Sequence, residues 1–167
     1  LLRSMFDAAV VSASPARALG DFLPQAPPGR TVVVGAGKAA ALMAAAVEKA
    51  WESEGRNDTI DGLVITRYGH SVQTDKIKVV EAAHPIPDES GLRAARRILE
   101  LVQPLGSEDQ VLCLVSGGGS ALLTLPATGI ALAEKQMVTD QLLRSGATIS
   151  EINCVRKHLS AIKGGRL

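Results

Sequence analysis

The stretch Thr31-Val32-Val33-Val34-Gly35-Ala36-Gly37-Lys38-Ala39-Ala40 decides how the chain is read. Residues 31–34 form a short β-branched run, apolar on both faces. That pattern predicts a strand buried on both sides, as in a parallel sheet. Gly35 ends the run, and the Ala-rich residues 39–54 predict a long helix after it. Strand, glycine turn and helix in that order are the repeating unit of an α/β layer fold.

Working outward, residues 4–12 predict a helix on the spacing of Met5, Ala8, Ala9 and Val10. Ser14 as N-cap and Pro15 at the first helical position start another. Residues 23–29 hold three prolines and a glycine and make an extended connector. Downstream, 62–66 and 77–81 predict two further strands. About ten residues separate them, short for a helical crossover, so the third strand is antiparallel or sits elsewhere in the sheet. Residues 88–103 predict a helix with Asp88 as N-cap, Leu92, Ala95, Ile98, Leu99 and Val102 on one face, and Pro104 ending it. A fourth strand over 111–115 runs into Ser116-Gly117-Gly118-Gly119-Ser120. Helical patterns follow over 131–144 and 150–162, the second with Ile152, Val155, Leu159 and Ile162 on one stripe. The expected fold is α/β, a Rossmann-like three-layer sandwich with a mainly parallel sheet.

Composition narrows the function classes. The 167 residues are 46% hydrophobic and 21% charged, which argues against collagen-like, coiled-coil and disordered chains. Aromatics are 2%, too few for a nucleic-acid stacking platform. Lys plus Arg is 18 against 17 for Asp plus Glu, so no basic surplus points to nucleic acid or to a membrane. Cys113 and Cys154 stand 41 positions apart and fit neither a C-x-x-C unit nor a zinc pattern. Cys113, inside an apolar run, reads as a buried thiol in a reducing, cytoplasmic setting. The longest apolar run, 39–47, is half the ~18 residues a membrane span needs. The sequon Asn57-Asp58-Thr59 carries no message in a cytosolic protein. The chain starts at Leu1 rather than Met, so residues are expected ahead of it.

In α/β sheets ligands bind outside the carboxyl ends of the strands. Both glycine turns leave such ends. At Gly35-Ala36-Gly37-Lys38, glycines let backbone approach a ligand, the helix N-terminus offers N–H groups to an anion, and Lys38 adds a full charge. Without a ligand the same turn is a tight connector with Lys38 in water. It is not a Walker A loop, but Gly35, Gly37 and Ala40 match the dinucleotide pattern G-x-G-x-x-A. Arg67, after the second strand, would then suit a 2′-phosphate. At Ser116-Gly117-Gly118-Gly119-Ser120, three successive glycines after a buried strand can form a nest of N–H groups for a polyphosphate, flanked by two hydroxyls. The competing reading is a flexible loop beside close helix–sheet packing.

Two further candidates remain. Arg156, Lys157, Lys163 and Arg166 crowd a helix end, where the dipole alone favours cations. Asn153, Lys157 and Ser160 share one face of that helix, a surface suited to a small hydroxy acid or phosphate. His84, at a strand exit, reads as a structural residue, a ligand contact or a general base.

Four segments together resemble one family: Gly35-Ala36-Gly37-Lys38-Ala39, His84-Pro85-Ile86-Pro87-Asp88, Ser116-Gly117-Gly118-Gly119-Ser120-Ala121-Leu122, and residues 153–167. They resemble the N-terminal domain of glycerate 2-kinase, whose members are often labelled hydroxypyruvate reductase, especially in tartrate utilisation. The resemblance covers essentially the whole chain. It implies ATP-dependent phosphorylation of D-glycerate to 2-phosphoglycerate with Mg²⁺, in a cleft between a Rossmann-like domain and a second domain. It implies Lys38 as the catalytic residue and Ser116, Gly117, Gly118, Gly119 and Ser120 as nucleotide-binding. Gly35, Gly37, His84, Asn153, Arg156 and Lys157 are carried over as substrate-binding, and the metal ligands are unassigned. Family chains continue beyond the match to Leu167, so the chain is expected to be a partial N-terminal domain, 1–167, inactive alone. Expected partners are D-glycerate and ATP, with no nucleic acid and no membrane; a homodimer is left open. The rival expectations are an NAD(P)H-dependent hydroxypyruvate reductase and a non-catalytic nucleotide-binding module.

Overall fold

The chain is described by a computed structural model covering residues 1–56 and 59–167. The sequon residues Asn57 and Asp58 lie outside the described residues. Two short helices, α1 (Leu2–Ser12) and α2 (Pro15–Ala18), lead through a 3₁₀ turn at Gly20–Phe22 and an irregular connector into β1 (Thr31–Ala36). Then come α3 (Ala40–Ser53), β2 (Ile60–Arg67), β3 (Ile77–Ala82), α4 (Glu89–Val102) and β4 (Gln110–Val115). The single turn α5 (Gly119–Leu122), α6 (Leu132–Arg144) and α7 (Ile149–His158) complete the order.

The four strands form one sheet in the order β3-β2-β1-β4, and every pairing is parallel. β1 lies inside the sheet and all six of its residues are buried, as a run apolar on both faces requires. Side chains alternate between two cores. Val33, Val64, Ile77 and Leu114 pack with Ala40, Ala44, Val47 and Trp51 of α3. Val32, Val34, Leu63 and Ile65 pack with Ala94, Ala95 and Ile98 of α4 on the other side. Three layers result, with the carboxyl ends of all four strands at one edge.

Three expectations need correction. β3 is neither antiparallel nor remote; it runs parallel beside β2. Residues 68–76 make that crossover without a helix, because two carboxylates supply its backbone with partners. Glu48, buried on α3, accepts from the N–H groups of Asp75, Lys76 and Ile77 at 2.8, 2.8 and 2.6 Å. Glu81 accepts from Gly69 and Ser71 at 2.8 and 3.1 Å. Buried backbone groups demand such partners, and a helix is only one way to provide them.

The last helix stops at His158 rather than 162. The chain turns there to pair Ser160 with Pro126, and the buried Ser160 hydroxyl donates to the Leu125 carbonyl at 3.2 Å. Ser160 therefore does not share a helical face with Asn153 and Lys157. The third correction is Cys113, which is exposed. Among the described residues β4 is an edge strand, and Val111, Cys113 and Val115 are exposed along it. The apolar run reported the chemistry of the strand but not its place in the sheet. Among the described residues no helix is long and apolar enough to cross a membrane.

Candidate functional site

The two glycine turns clasp each other. Ser116 N–H donates to the Ala36 carbonyl at 3.2 Å as the β1–β4 ladder ends. Lys38 N–H then donates to the Gly117 carbonyl at 2.8 Å, and Ala39 N–H donates to Ser116 Oγ at 3.1 Å. Gly37 N–H donates to the Ile65 carbonyl at 3.0 Å, which fixes the turn to β2. The amides of Gly37, Lys38 and Ala39, ahead of α3, are thus committed to protein. What the first turn sends outward is the exposed Lys38 side chain. In the second turn Gly119 N–H is also used, by the Ser116 carbonyl at 3.2 Å. The N–H groups of Gly117 and Gly118 have no partner among the described residues.

Gly118 is left-handed, with φ +89°. A Cβ there would stand 3.0 Å from Cδ2 and from Nε2 of His84, and 3.4 Å from Cγ of Lys38. The dihedral favours glycine, and a Cβ there would press on the His84 ring. The same geometry brings Lys38, His84 and the triple-glycine loop to one point. They come from three different strand ends, as the carboxyl-edge rule anticipates.

Cations surround this point. The His84 imidazole is held below its ordinary range first by burial, then by Lys38, Arg67 and Arg156. Arg67 ends β2, and Arg156 reaches in from α7. Burial also lowers the Arg156 guanidinium. The ion pairs of the described residues lie elsewhere, between Arg30 and Asp61, Arg56 and Glu54, Arg97 and Glu100, and Arg144 and Asp140. A concave edge with several unpaired cations attracts anionic substrates.

A cavity of about 350 Å³ opens beside the loop. Gly35, Gly119 and Ser120 form one wall, Asn153 and Lys157 another, and Val34, Ile98 and Val115 part of its apolar floor. Lys38, His84 and Arg156 lie outside its lining. The candidate residues therefore fall into two neighbouring groups joined by the Gly117–Ser120 loop. Lys163 also lines the cavity, and its ammonium donates to the Leu123 carbonyl. Burial, followed by Lys135 and Arg156, pushes Lys163 down to about 7. Lys135 is buried too and falls to about 8.

This has a measurable consequence. An unfolded lysine titrates near 10.5, so between about pH 7 and 10.5 the unfolded chain binds more protons at residue 163 than the folded one. Stability at this residue therefore rises with pH across that window and is lowest below pH 7. We expect the urea midpoint to climb from pH 7 to 8.5 and the climb to shrink in Lys163→Met. An equal slope in the variant would show that burial does not lower the Lys163 ammonium.

Sequence reasoning missed Arg67 as a neighbour of His84, and it missed Lys135. The strand-exit position of Arg67 was the available signal; Lys135 gave none, since its burial follows from packing between helices. No group of three or more His, Cys, Asp and Glu side chains comes together among the described residues. This stretch does not fit a protein cage for Mg²⁺, and the metal ligands stay unassigned.

Known proteins place this geometry in context. An Agrobacterium vitis protein provisionally named a hydroxypyruvate reductase is 54% identical over 167 residues, 100% of this chain and 37% of that protein. A D-glycerate 2-kinase of Thermotoga maritima is 49% identical over 153 residues, 91% of this chain and 36% of that protein. A Thermotoga maritima glycerate kinase crystal structure superimposes with a TM-score of 0.84 at 45% identity, covering 96% of this chain and 38% of that one. The chain thus spans little more than a third of these relatives' length. Its sequence matches one family, described as a domain of unknown function, from residue 1 to residue 167. By that match and the shared architecture, the chain belongs to the DUF4147 family.

Proposed function

We propose that this chain forms one wall of the active site of an ATP-dependent D-glycerate 2-kinase. The observation that carries the reading is the convergence of Lys38, His84 and Gly118 inside an unpaired cationic edge. The name of the Thermotoga relative supports the substrate. Phosphoryl transfer is mainly positioning and charge neutralisation, and both are within reach of these groups. The free N–H groups of Gly117 and Gly118 hold phosphate oxygens of ATP, and Lys38 faces the transferred group or the glycerate carboxylate. Gly119 and Ser120 lead the nucleotide toward the apolar-walled cavity, with Asn153 and Lys157 on its far side. Arg156 adds charge from α7. Mg²⁺ would arrive with the nucleotide, and no ligand from this chain is assigned to it. The setting is cytoplasmic.

The second reading is an NAD(P)H-dependent hydroxypyruvate reductase, favoured by the G-x-G-x-x-A match and the name of the Agrobacterium relative. Against it, the amides that a pyrophosphate would need at Lys38 and Ala39 are bonded to the second turn. Two assays on the full-length protein separate the readings. ADP release with D-glycerate and ATP is expected; NADPH oxidation by hydroxypyruvate without ADP release would overturn the kinase.

A further inference from the structure

We propose that Nε2 of His84 is the proton acceptor for the substrate hydroxyl, an inference that rests on the kinase reading above. The ring lies against Gly118, whose missing side chain leaves Nε2 and the Lys38 stem facing the same space. Among the described residues the ring's one hydrogen bond is to its own backbone, which leaves a ring nitrogen open to a ligand.

The loop that carries the ring is held at both ends. Tyr68 O–H donates to Asp88 Oδ2 at 2.8 Å, while Asp88 Oδ1 accepts from Gly91 N–H at 2.9 Å and caps α4. Gln136 of α6 donates to the Pro87 carbonyl at 2.7 Å, and Ser90 donates to the Glu81 carbonyl at 2.6 Å. The two carboxylates that flank the loop are therefore occupied: Asp88 by Tyr68 and the helix cap, Glu81 by Gly69 and Ser71. Neither is free to take a proton from substrate, and the imidazole is the remaining base on this loop.

The charges facing the ring decide its protonation. Lys38 approaches from the β1–α3 turn, Arg67 from the end of β2 and Arg156 from α7, and burial acts with them. Only the bond to its own backbone works the other way. At neutral pH the ring is uncharged and able to accept. In the step itself, the hydroxyl oxygen of glycerate attacks the terminal phosphorus of ATP and the bond from phosphorus to the ADP oxygen breaks. The hydroxyl proton passes to Nε2. The products are 2-phosphoglycerate, ADP and an imidazolium, which returns its proton to water. Three neighbouring cations make His84 a weak base. A loose phosphoryl-transfer transition state asks for little more, because the proton leaves late. The same cations speed the return of the ring to its neutral form.

The test uses the full-length protein, with kcat/KM for D-glycerate followed against pH. The wild type should show an acid limb with its midpoint below the ordinary histidine value of 6.5. His84→Gln keeps polarity and size but cannot carry the proton. It should lose roughly 10²–10⁴-fold in kcat and lose the limb, with KM for ATP little changed. Retention of the limb, or of more than a tenth of wild-type kcat, overturns the inference. Should His84→Gln fail to fold, the wild type decides: an acid limb in kcat/KM whose midpoint matches the ring's own NMR titration supports the inference, and a limb that does not track the ring overturns it. No ADP release by the wild type overturns the kinase reading itself, a result distinct from ADP release with an unaltered His84→Gln profile.

Discussion

Gly62→Ala should cost the fold roughly 2–6 kcal/mol, the sum of a strained backbone and an overpacked contact. Gly62 sits on β2 with φ +156°, paired in register with Val33 of β1. A Cβ there would lie 1.9 Å from the Val33 carbonyl oxygen, 2.7 Å from its carbon and 2.9 Å from the Val33 nitrogen. All three are main-chain atoms of a strand buried along its whole length, so no side-chain rotation relieves the clash. The β1–β2 ladder must open, and with it both cores that share β1. Domains are stable by only about 5–15 kcal/mol in total, so a large share of the protein should unfold. Urea unfolding followed by circular dichroism measures this. A loss under about 1 kcal/mol would mean that the two strands do not approach as described.

Lys38→Ala should leave the fold intact and remove most of the turnover. The side chain is exposed and only its backbone bonds to the second turn, so truncation touches no core contact. If its ammonium neutralises the transferred phosphoryl group or orients the glycerate carboxylate, kcat in the full-length protein should fall on the order of 10²–10³-fold. Lys38→Arg separates charge from placement: a guanidinium at the same turn keeps the field but not the reach. Unchanged thermal unfolding with wild-type turnover within a few fold in Lys38→Ala would remove the residue from the mechanism.

The strand at Thr31–Ala36 was legible because burial on two faces leaves a run without alternation. Asp88 was legible as a cap because its chemistry is local, and it accepts from Gly91 N–H three residues on. What sequence left open depended on distant partners. The direction of β3 turns on Glu48, 29 positions before Ile77, standing in for a helix's hydrogen bonds. The end of α7 turns on Ser160 meeting Pro126, and no periodicity reports that. Cys113 was misread because an edge strand and a central one can share the same letters. At the site, strand-exit glycines drew attention to Lys38 and to Gly118, which the structure brings side by side. Which amides remained available was invisible, since Lys38 N–H and Ala39 N–H find their acceptors 79 and 77 positions away.

The mutual clasp of the two turns also bears on redesign. Hydrogen bonds cross from one turn to the other, so neither is an independent module that can be exchanged for a loop of other sequence. Effects of changes at 36–39 and at 116–119 should be strongly non-additive. Libraries meant to retarget this scaffold to another acid ought to randomise both segments together, because variation confined to either one would mostly sample broken frameworks.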